Sequence, residues 1–319
     1  MDRYLLKIRQ ALPLDQKLKL TKQRIKQWVE HFGEDGVYVS FSGGKDSTVL
    51  LHIVRELYPN IEAVFVDTGL EYPEIRQFVK TFDNVTILRP EIRFDKVIEK
   101  YGYPIISKEV SRVIEDVRIY LKDNSKYKYQ WDKLNGNGRF KDSKYNCEKW
   151  KFLIKAPFKI SNKCCYIMKK SVGHKYYKIS GKVPFLGTMA EESLIRERNY
   201  IVNGCNGFNM KIPTSTPIAF WTEQDVLQYI YKNKIPIASV YGDVVKADKY
   251  YTTGCQRTGC MFCGFGCHLE KYPNRFQRLA ETHPKQYDYI INDLGMGKVL
   301  DFINVDYKPP KEKQLPLFT

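Results

Sequence analysis

The chain has 319 residues, enough for one large domain with a smaller appendage and a substantial buried core. Its 43% hydrophobic and 14% aromatic residues exclude a largely disordered chain, and no stretch approaches the roughly 18–20 apolar residues of a membrane span. The 52 Lys and Arg exceed the 36 Asp and Glu, giving a formal net charge of +16 that favours polyanionic partners such as nucleic acid.

The first residues, MDRYLLKIRQALPLDQKLKL, carry charges every few positions and lack the apolar core of a secretory signal, so a cytoplasmic protein without a membrane partner is expected. Residues 3–32 repeat apolar side chains at helical spacing, broken near Pro13 and ended by Gly33 and Gly36. Val37–Phe41 reads as a short buried strand, Ser47–Leu57 as a helix and Ile61–Val66 as a second strand ending at Asp67. A helix over Pro73–Thr81 and a strand over Val85–Leu88 follow. Strands alternating with helices predict an α/β fold, a parallel twisted sheet flanked by helices.

The middle is less regular. Residues 122–155 hold ten Lys and Arg, four Asp and Glu and seven aromatics. Lys126, Lys128 and Lys133 interleave there with Tyr127, Tyr129 and Trp131, a pattern that suits either a single-strand nucleic-acid binder or an insertion whose aromatics pack inward. Val183–Leu186 reads as another strand and Thr222–Lys232 as a helix. The chain is loop-rich beyond Tyr241, with helical patterns resuming over Arg275–Leu279 and Pro284–Leu294, and the last dozen residues, KPPKEKQLPLFT, are expected to be extended or frayed. Three segments are expected: an N-terminal helical stretch 1–35, a nucleotide-binding domain 36–240 that includes the 122–155 insertion, and a cysteine-bearing, helical region 241–319.

Ser42, Gly43, Gly44, Lys45, Asp46 and Ser47 lie between a strand and a helix. Two glycines let the backbone turn tightly against an anion, and the next helix aims its unpaired N–H groups and positive dipole end at it. Ser42 and Ser47 offer hydroxyl donors and Lys45 a countercharge. The spacing is not that of a Walker A loop. Asp67, at the end of the second strand, stands where open α/β sheets bind ligands and can meet a ribose hydroxyl or magnesium, or simply shape a turn.

The SGGKDS string resembles the signature loop of the PP-loop ATP pyrophosphatases and the related phosphoadenosine phosphosulfate reductase family. Val66–Glu74, VDTGLEYPE, is similar to the reductase branch's DTG segment, and Gly187–Ser193 with Arg196 to its G-x-R-x-x-E-S-x-x-R segment. Met189 stands where that segment usually has its first Arg. Pro217, Trp221, Asp225 and Val226 follow a further spacing of the branch, so the resemblance runs over roughly residues 35–270. It implies a Rossmann-like PP-loop fold that binds ATP or a sulfonucleotide, magnesium accompanying ATP. It also implies nucleotide contacts from Ser42–Ser47, Asp67, Thr68, Gly187 and Glu192, with Lys45, Asp46 and Arg196 as candidate catalytic residues. For Arg196 and its neighbour Arg198, a forked grip on phosphate stands beside an ion pair to Glu191 or Glu192.

Cys255, Cys260, Cys263 and Cys267 form C-x4-C-x2-C-x3-C, a local set of four thiols. Cys164 and Cys165 lie about 95 residues upstream. The resemblance implies instead that Cys164 and Cys165 join Cys260 and Cys263 around a [4Fe–4S] cluster, zinc being the alternative for four thiolates. Cys147 and Cys205 have no evident partner in the sequence. The reductases also carry a nucleophilic cysteine in a C-terminal E-C-G-[LI]-H segment, whereas the 52 residues after Cys267 contain none.

Two reactions follow from the resemblance. One is ATP-dependent adenylation with release of pyrophosphate, coupled to cluster-assisted delivery of sulfur from a donor, DNA or tRNA being candidate acceptors. The other is reduction of adenylyl sulfate or its 3′-phosphorylated form to sulfite by a thioredoxin-like reductant.

Overall fold

The computed structural model describes residues 2–309, so nearly all of the C-terminal stretch expected to be extended lies outside the described residues. Helices α1 (Arg3–Ala11) and α2 (Leu14–Phe32) precede β1 (Val37–Ser40), α3 (Lys45–Leu57), β2 (Ala63–Val66), α4 (Pro73–Val79) and β3 (Val85–Leu88). Next come α5 (Phe94–Tyr101), β4 (Ile105–Ile106), α6 (Lys108–Tyr120), α7 (Lys128–Leu134), α8 (Ser171–Ser180), β5 (Val183–Leu186) and α9 (Leu194–Asn203). They are followed by β6 (Asn206–Gly207), β7 (Thr214–Ser215), α10 (Glu223–Asn233), the hairpin β8 (Val244–Lys246) and β9 (Tyr250–Thr252), and β10 (Gly264–Phe265). Helices α11 (Arg275–Thr282), α12 (Pro284–Asp288) and α13 (Met296–Phe302) follow. Among the described residues no helix is long and apolar enough to cross a membrane.

Two compact units emerge, each assembled from two stretches of chain: Met1–Pro90 with Ser171–Gly259, and Glu91–Lys170 with Cys260–Thr319. The first holds a six-stranded sheet in the order β3-β2-β1-β5-β7-β6, parallel except where β6 meets β7. Its central strands are apolar almost throughout, as a sheet covered on both faces requires; Val37, Val39, Ala63 and Phe185 are fully buried. Val39 pairs with Ala63 and with Phe185, so β1, β2 and β5 end at one edge, and the loops beginning at Phe41, Asp67 and Gly187 leave from it.

Helix α2 belongs to this unit because its inner face supplies Ile25, Trp28 and Val29 to the core, with Trp28 packed against Phe185 and Phe208. A buried ion pair also fastens it: Lys17 Nζ lies 2.5 Å from Asp225 Oδ2, and Asp225 accepts from the Thr222 amide and hydroxyl in the capping box of α10.

In the second unit, α6 buries Val110, Val113, Ile114 and Val117 along one face. Arg118 on α6 donates to the carbonyls of Leu153, Ala156 and Phe158, satisfying a stretch of backbone outside regular pairing. Strands β4 and β10 pair in parallel and hold the segment after Cys263 beside the start of α6.

Candidate nucleotide site and thiol group

The loop between β1 and α3 is braced by its own hydroxyls. The Ser42 amide donates to Ser47 Oγ at 3.2 Å, the Gly44 amide to Ser42 Oγ at 3.3 Å, and Ser47 Oγ to the Gly44 carbonyl at 3.0 Å. The Ser42 and Ser47 hydroxyls, expected to donate to an anion, are bonded to each other and within the loop, as are the Ser42 and Gly44 amides, which leaves the remaining backbone amides as the donors at this helix N-terminus. The two glycines differ. Gly43 has φ +71°, and a Cβ there would stand 2.8 Å from Ile75 Cγ2 and 2.9 Å from Val79 Cγ2, so α4 packs directly on the loop. Gly44 is extended, and a Cβ on it would come no nearer than 3.3 Å to Ser42 Oγ and 3.4 Å to Tyr241 Oη.

Charged side chains crowd this loop. Lys45 is only 5% exposed; its Nζ donates to the Gln256 carbonyl at 2.9 Å and lies 3.5 Å from Glu223 Oε1 and 5.4 Å over the Tyr241 ring. Burial pushes the Asp46 carboxyl above its ordinary range and the Glu223 charge adds to this, against the pull of Lys45, Arg257 and Arg196. Arg196 pairs with Glu192, four residues earlier, and Glu192 also accepts from the Met189 amide at 2.8 Å. The ion-pair alternative therefore holds for Arg196, while its charge still reaches Asp46. Glu191 accepts from the Glu223 amide at 2.5 Å, placing a carboxylate on the N-terminus of α10. Gly187, at the end of β5, meets the loop backbone so closely that a Cβ would lie 3.0 Å from the Asp46 carbonyl and the Ser47 nitrogen.

Asp67 is held by its own segment. Its Oδ2 accepts from Arg76 at 3.0 Å with Arg89 3.6 Å away, and its Oδ1 accepts from the Gly69 amide at 3.2 Å. The Thr68 hydroxyl donates to Glu71 at 2.8 Å. The turn-shaping role left open by the sequence is the one these bonds display.

In the second unit, the charges of Cys165, Cys260 and Cys263 all act on Cys164, whose thiol is raised well above its ordinary range, first by burial. Burial also raises Cys263, while a bond from the Phe265 amide and the charges of Arg275 and Lys108 favour its thiolate. Arg275 donates to the Cys263 carbonyl at 2.8 Å and pairs with Glu270. Cys267 is buried, donates to the Gly264 carbonyl at 3.1 Å and is pushed up to about 11, first by burial. Cys255 falls in the first unit. The thiols brought within one another's field around Cys164 are therefore the upstream pair with Cys260 and Cys263. Among the described residues, no group of three or more His, Cys, Asp or Glu is placed to hold a single metal ion. Cys147 and Cys205 are buried, each with its thiol raised by that burial.

The 122–155 segment gives no support to a nucleic-acid partner. Trp131 stacks on Tyr120 at 5.2 Å, and Tyr129 meets Phe140 edge-on at 5.0 Å with Arg139 4.6 Å over its ring. Lys133 is 3% exposed and bound to Glu109, while Lys126 and Lys128 pair with Asp123 and Asp132. Some of the faces and charges that would serve a strand are spent within the segment, while Tyr127, Tyr129, Tyr145 and Phe152 stay exposed.

The sequence reading missed Tyr241, Gln256, Arg257 and Glu223 around the Ser42–Ser47 loop. The signal was there in part, since Gln256 and Arg257 sit inside the cysteine string, where spacing draws attention to the thiols instead.

Residues 36–105 and 107–264 match the phosphoadenosine phosphosulfate reductase domain. The chain belongs to that family. It is 24% identical over 248 residues to the adenosine 5′-phosphosulfate reductase of Geobacillus kaustophilus, covering 77% of this chain and 81% of that one. The corresponding figures for the reductase of the same name from Staphylococcus epidermidis are 25%, 72% and 73%. An uncharacterised protein of Methanocaldococcus jannaschii is 25% identical over 88% of this chain, which spans only 54% of that protein's length. A crystal structure of phosphoadenylyl-sulfate reductase from Candida auris, in a phosphate complex, superposes with a TM-score of 0.41 at 12% identity, over 75% of this chain and 98% of the other.

Proposed function

We propose that this member of the family is an ATP-dependent sulfur-transfer enzyme that binds the nucleotide's phosphates on the Ser42–Ser47 loop, adenylates an acceptor and releases pyrophosphate. The observation that carries the reading is the carboxylate of Asp46, half-buried inside an anion-binding loop with Glu223 acting on it. Lys45, Arg257 and Arg196 already act on Asp46, and a cation shared with the phosphates would further favour its charged form. Magnesium is held by one or two carboxylates together with substrate phosphates, so Asp46 and Glu223 suit a magnesium nucleotide better than a bare sulfonucleotide. In the reaction an acceptor oxygen attacks the α-phosphorus, the bond to the bridging oxygen breaks, and pyrophosphate leaves. Lys45 and Arg196 offset the charge that gathers on it, and Gly187 keeps the loop clear of side chains.

Cys164, Cys165, Cys260 and Cys263 would hold a [4Fe–4S] cluster. Two features support this assignment: the four thiols share one electrostatic neighbourhood, and Lys108, Lys169 and Arg275 surround them with positive charge. A lone zinc, with thiolate bonds of about 2.3 Å, needs a tight tetrahedron; a polynuclear cluster takes four thiolates at wider spacing. The cluster supplies thiophilic iron and electron transfer when bound. The packing of residues 122–155 favours a small acceptor over DNA or tRNA.

The reductase reading is favoured by one specific finding, the two bacterial relatives named adenosine 5′-phosphosulfate reductase. Product analysis under anaerobic conditions separates the two. ATP with magnesium, an oxygen acceptor and a sulfide donor should yield pyrophosphate as the acceptor oxygen is adenylated and AMP as sulfide displaces that oxygen, and adenylyl sulfate with a dithiol should yield no sulfite. Sulfite without pyrophosphate would replace the ATP reading with the reductase one.

A further inference from the structure

We infer that Arg257 is a nucleotide-binding residue, the guanidinium that closes the Ser42–Ser47 loop on the terminal anionic group and so favours nucleotides with a long anionic tail over AMP. This inference rests on the nucleotide-site reading above.

The residues on either side of Arg257 are tied to the loop. The Gln256 carbonyl accepts from Lys45 Nζ at 2.9 Å. The Thr258 hydroxyl bonds to the Tyr241 hydroxyl at 2.9 Å, and that hydroxyl stands 3.4 Å from the position of a Cβ on Gly44. The strap is further fixed from behind, because the amides of Gly254 and Cys255 donate to the Tyr241 and Val240 carbonyls at 2.8 and 2.9 Å. Backbone position at residue 257 is thus tied to Lys45 of the loop on one side and to Tyr241 on the other.

The side chain has no structural employment. Arg257 is exposed, and among the described residues it makes neither a hydrogen bond nor an ion pair, yet its charge acts on both Asp46 and Arg196. The other cations at the loop already have partners: Arg196 is paired with Glu192, although its buried Nη1 makes no hydrogen bond, and Lys45 is held by Gln256 and Glu223. The guanidinium charge favours the Asp46 carboxylate and opposes Arg196, and its N–H donors have no partner in the empty site, so an incoming anion gains donors that nothing else occupies. A planar fork of N–H donors matches phosphate or sulfate oxygens, which an ammonium group does not reproduce.

The test is an equilibrium titration of wild type, Arg257→Gln and Arg257→Lys with magnesium ATP and with AMP. A lost hydrogen bond to a charged group weakens affinity roughly 10- to 100-fold, so Arg257→Gln should lose about that much for ATP and little for AMP, with Arg257→Lys between. Thermal melts of the empty proteins should coincide. Equal losses for ATP and AMP, no loss for ATP, or a clearly lowered melting temperature of empty Arg257→Gln would each overturn the inference. Wild type that binds no adenine nucleotide would instead defeat the nucleotide-site reading, and wild-type binding matched by Arg257→Gln would defeat only the role of Arg257.

Discussion

Gly187 leaves no room for a side chain against Ser47 at the carboxyl edge of the sheet: a Cβ on Gly187 would stand 3.0 Å from the nitrogen of Ser47, the third residue of α3. The end of β5 thereby limits where the amides of the first turn of α3 can point. Gly187→Ala should push this turn out of register and weaken ATP binding at least tenfold while leaving most of the fold intact, since overpacking of one methyl costs about 1–3 kcal/mol. Calorimetric titration checks this, and unchanged affinity would detach the loop from the nucleotide. Gly43→Ala, which combines strained φ with contacts to Ile75 and Val79, should lower stability as well.

The thiol grouping makes a prediction that discriminates between the two sets read from the sequence. Anaerobically purified Cys164→Ser and Cys260→Ser should lose most iron and acid-labile sulfide, whereas Cys255→Ser and Cys267→Ser should keep them. Cys267 already spends its thiol on the Gly264 carbonyl, and Cys255 belongs to the other unit. Iron retained in Cys164→Ser and lost in Cys267→Ser would restore the local set of four.

Lys17 and Asp225 form a buried pair, with side-chain exposures of 2% and 11%. Lys17→Met strands the Asp225 charge and should cost about 3–5 kcal/mol in urea unfolding. Adding Asp225→Asn, which keeps a capping acceptor for α10 without the charge, should recover most of that loss. A single variant as stable as wild type would mean that α2 is held by its apolar face alone.

Glu62 gives the first unit an acid-sensitive support. Burial works to raise its carboxyl, but hydrogen bonds from Lys182, Thr86 and Tyr176 outweigh it and hold it below its ordinary value of 4.5. A depressed folded-state value means that the stabilisation is present above the unfolded value and is lost as pH falls through the folded one. Glu62→Gln should therefore be less stable than wild type at pH 7, and the gap should close below about pH 4. A gap that persists unchanged at pH 3 would assign the loss to packing.

Much of the first unit was legible because parallel strands buried on both faces leave plain apolar runs. Val85–Leu88 and Val183–Leu186 were read with their observed ends, and the break at Pro13 separates α1 from α2. Helix α6 was missed although Val110, Val113, Ile114 and Val117 follow helical spacing, because the basic residues just after it drew the whole region into an irregular reading. The hairpin β8–β9 carries too few apolar residues to announce itself. At the site, the loop and the cysteines were visible as local strings. Arg257 was not, since its importance lies in a neighbour 211 residues from Gln256, the residue that Lys45 grips. The division of the chain into two interleaved units is likewise a matter of long-range contacts that no consecutive segment displays.

The most direct test of the account is the magnesium dependence of ATP binding in wild type and Asp46→Asn. If Asp46 meets the phosphates through a cation, wild type should bind magnesium ATP and lose at least tenfold in affinity when EDTA removes the metal, and Asp46→Asn should show nearly the same affinity with and without it. Tighter binding of adenylyl sulfate than of ATP, indifferent to EDTA and to the Asp46→Asn change, would contradict the account.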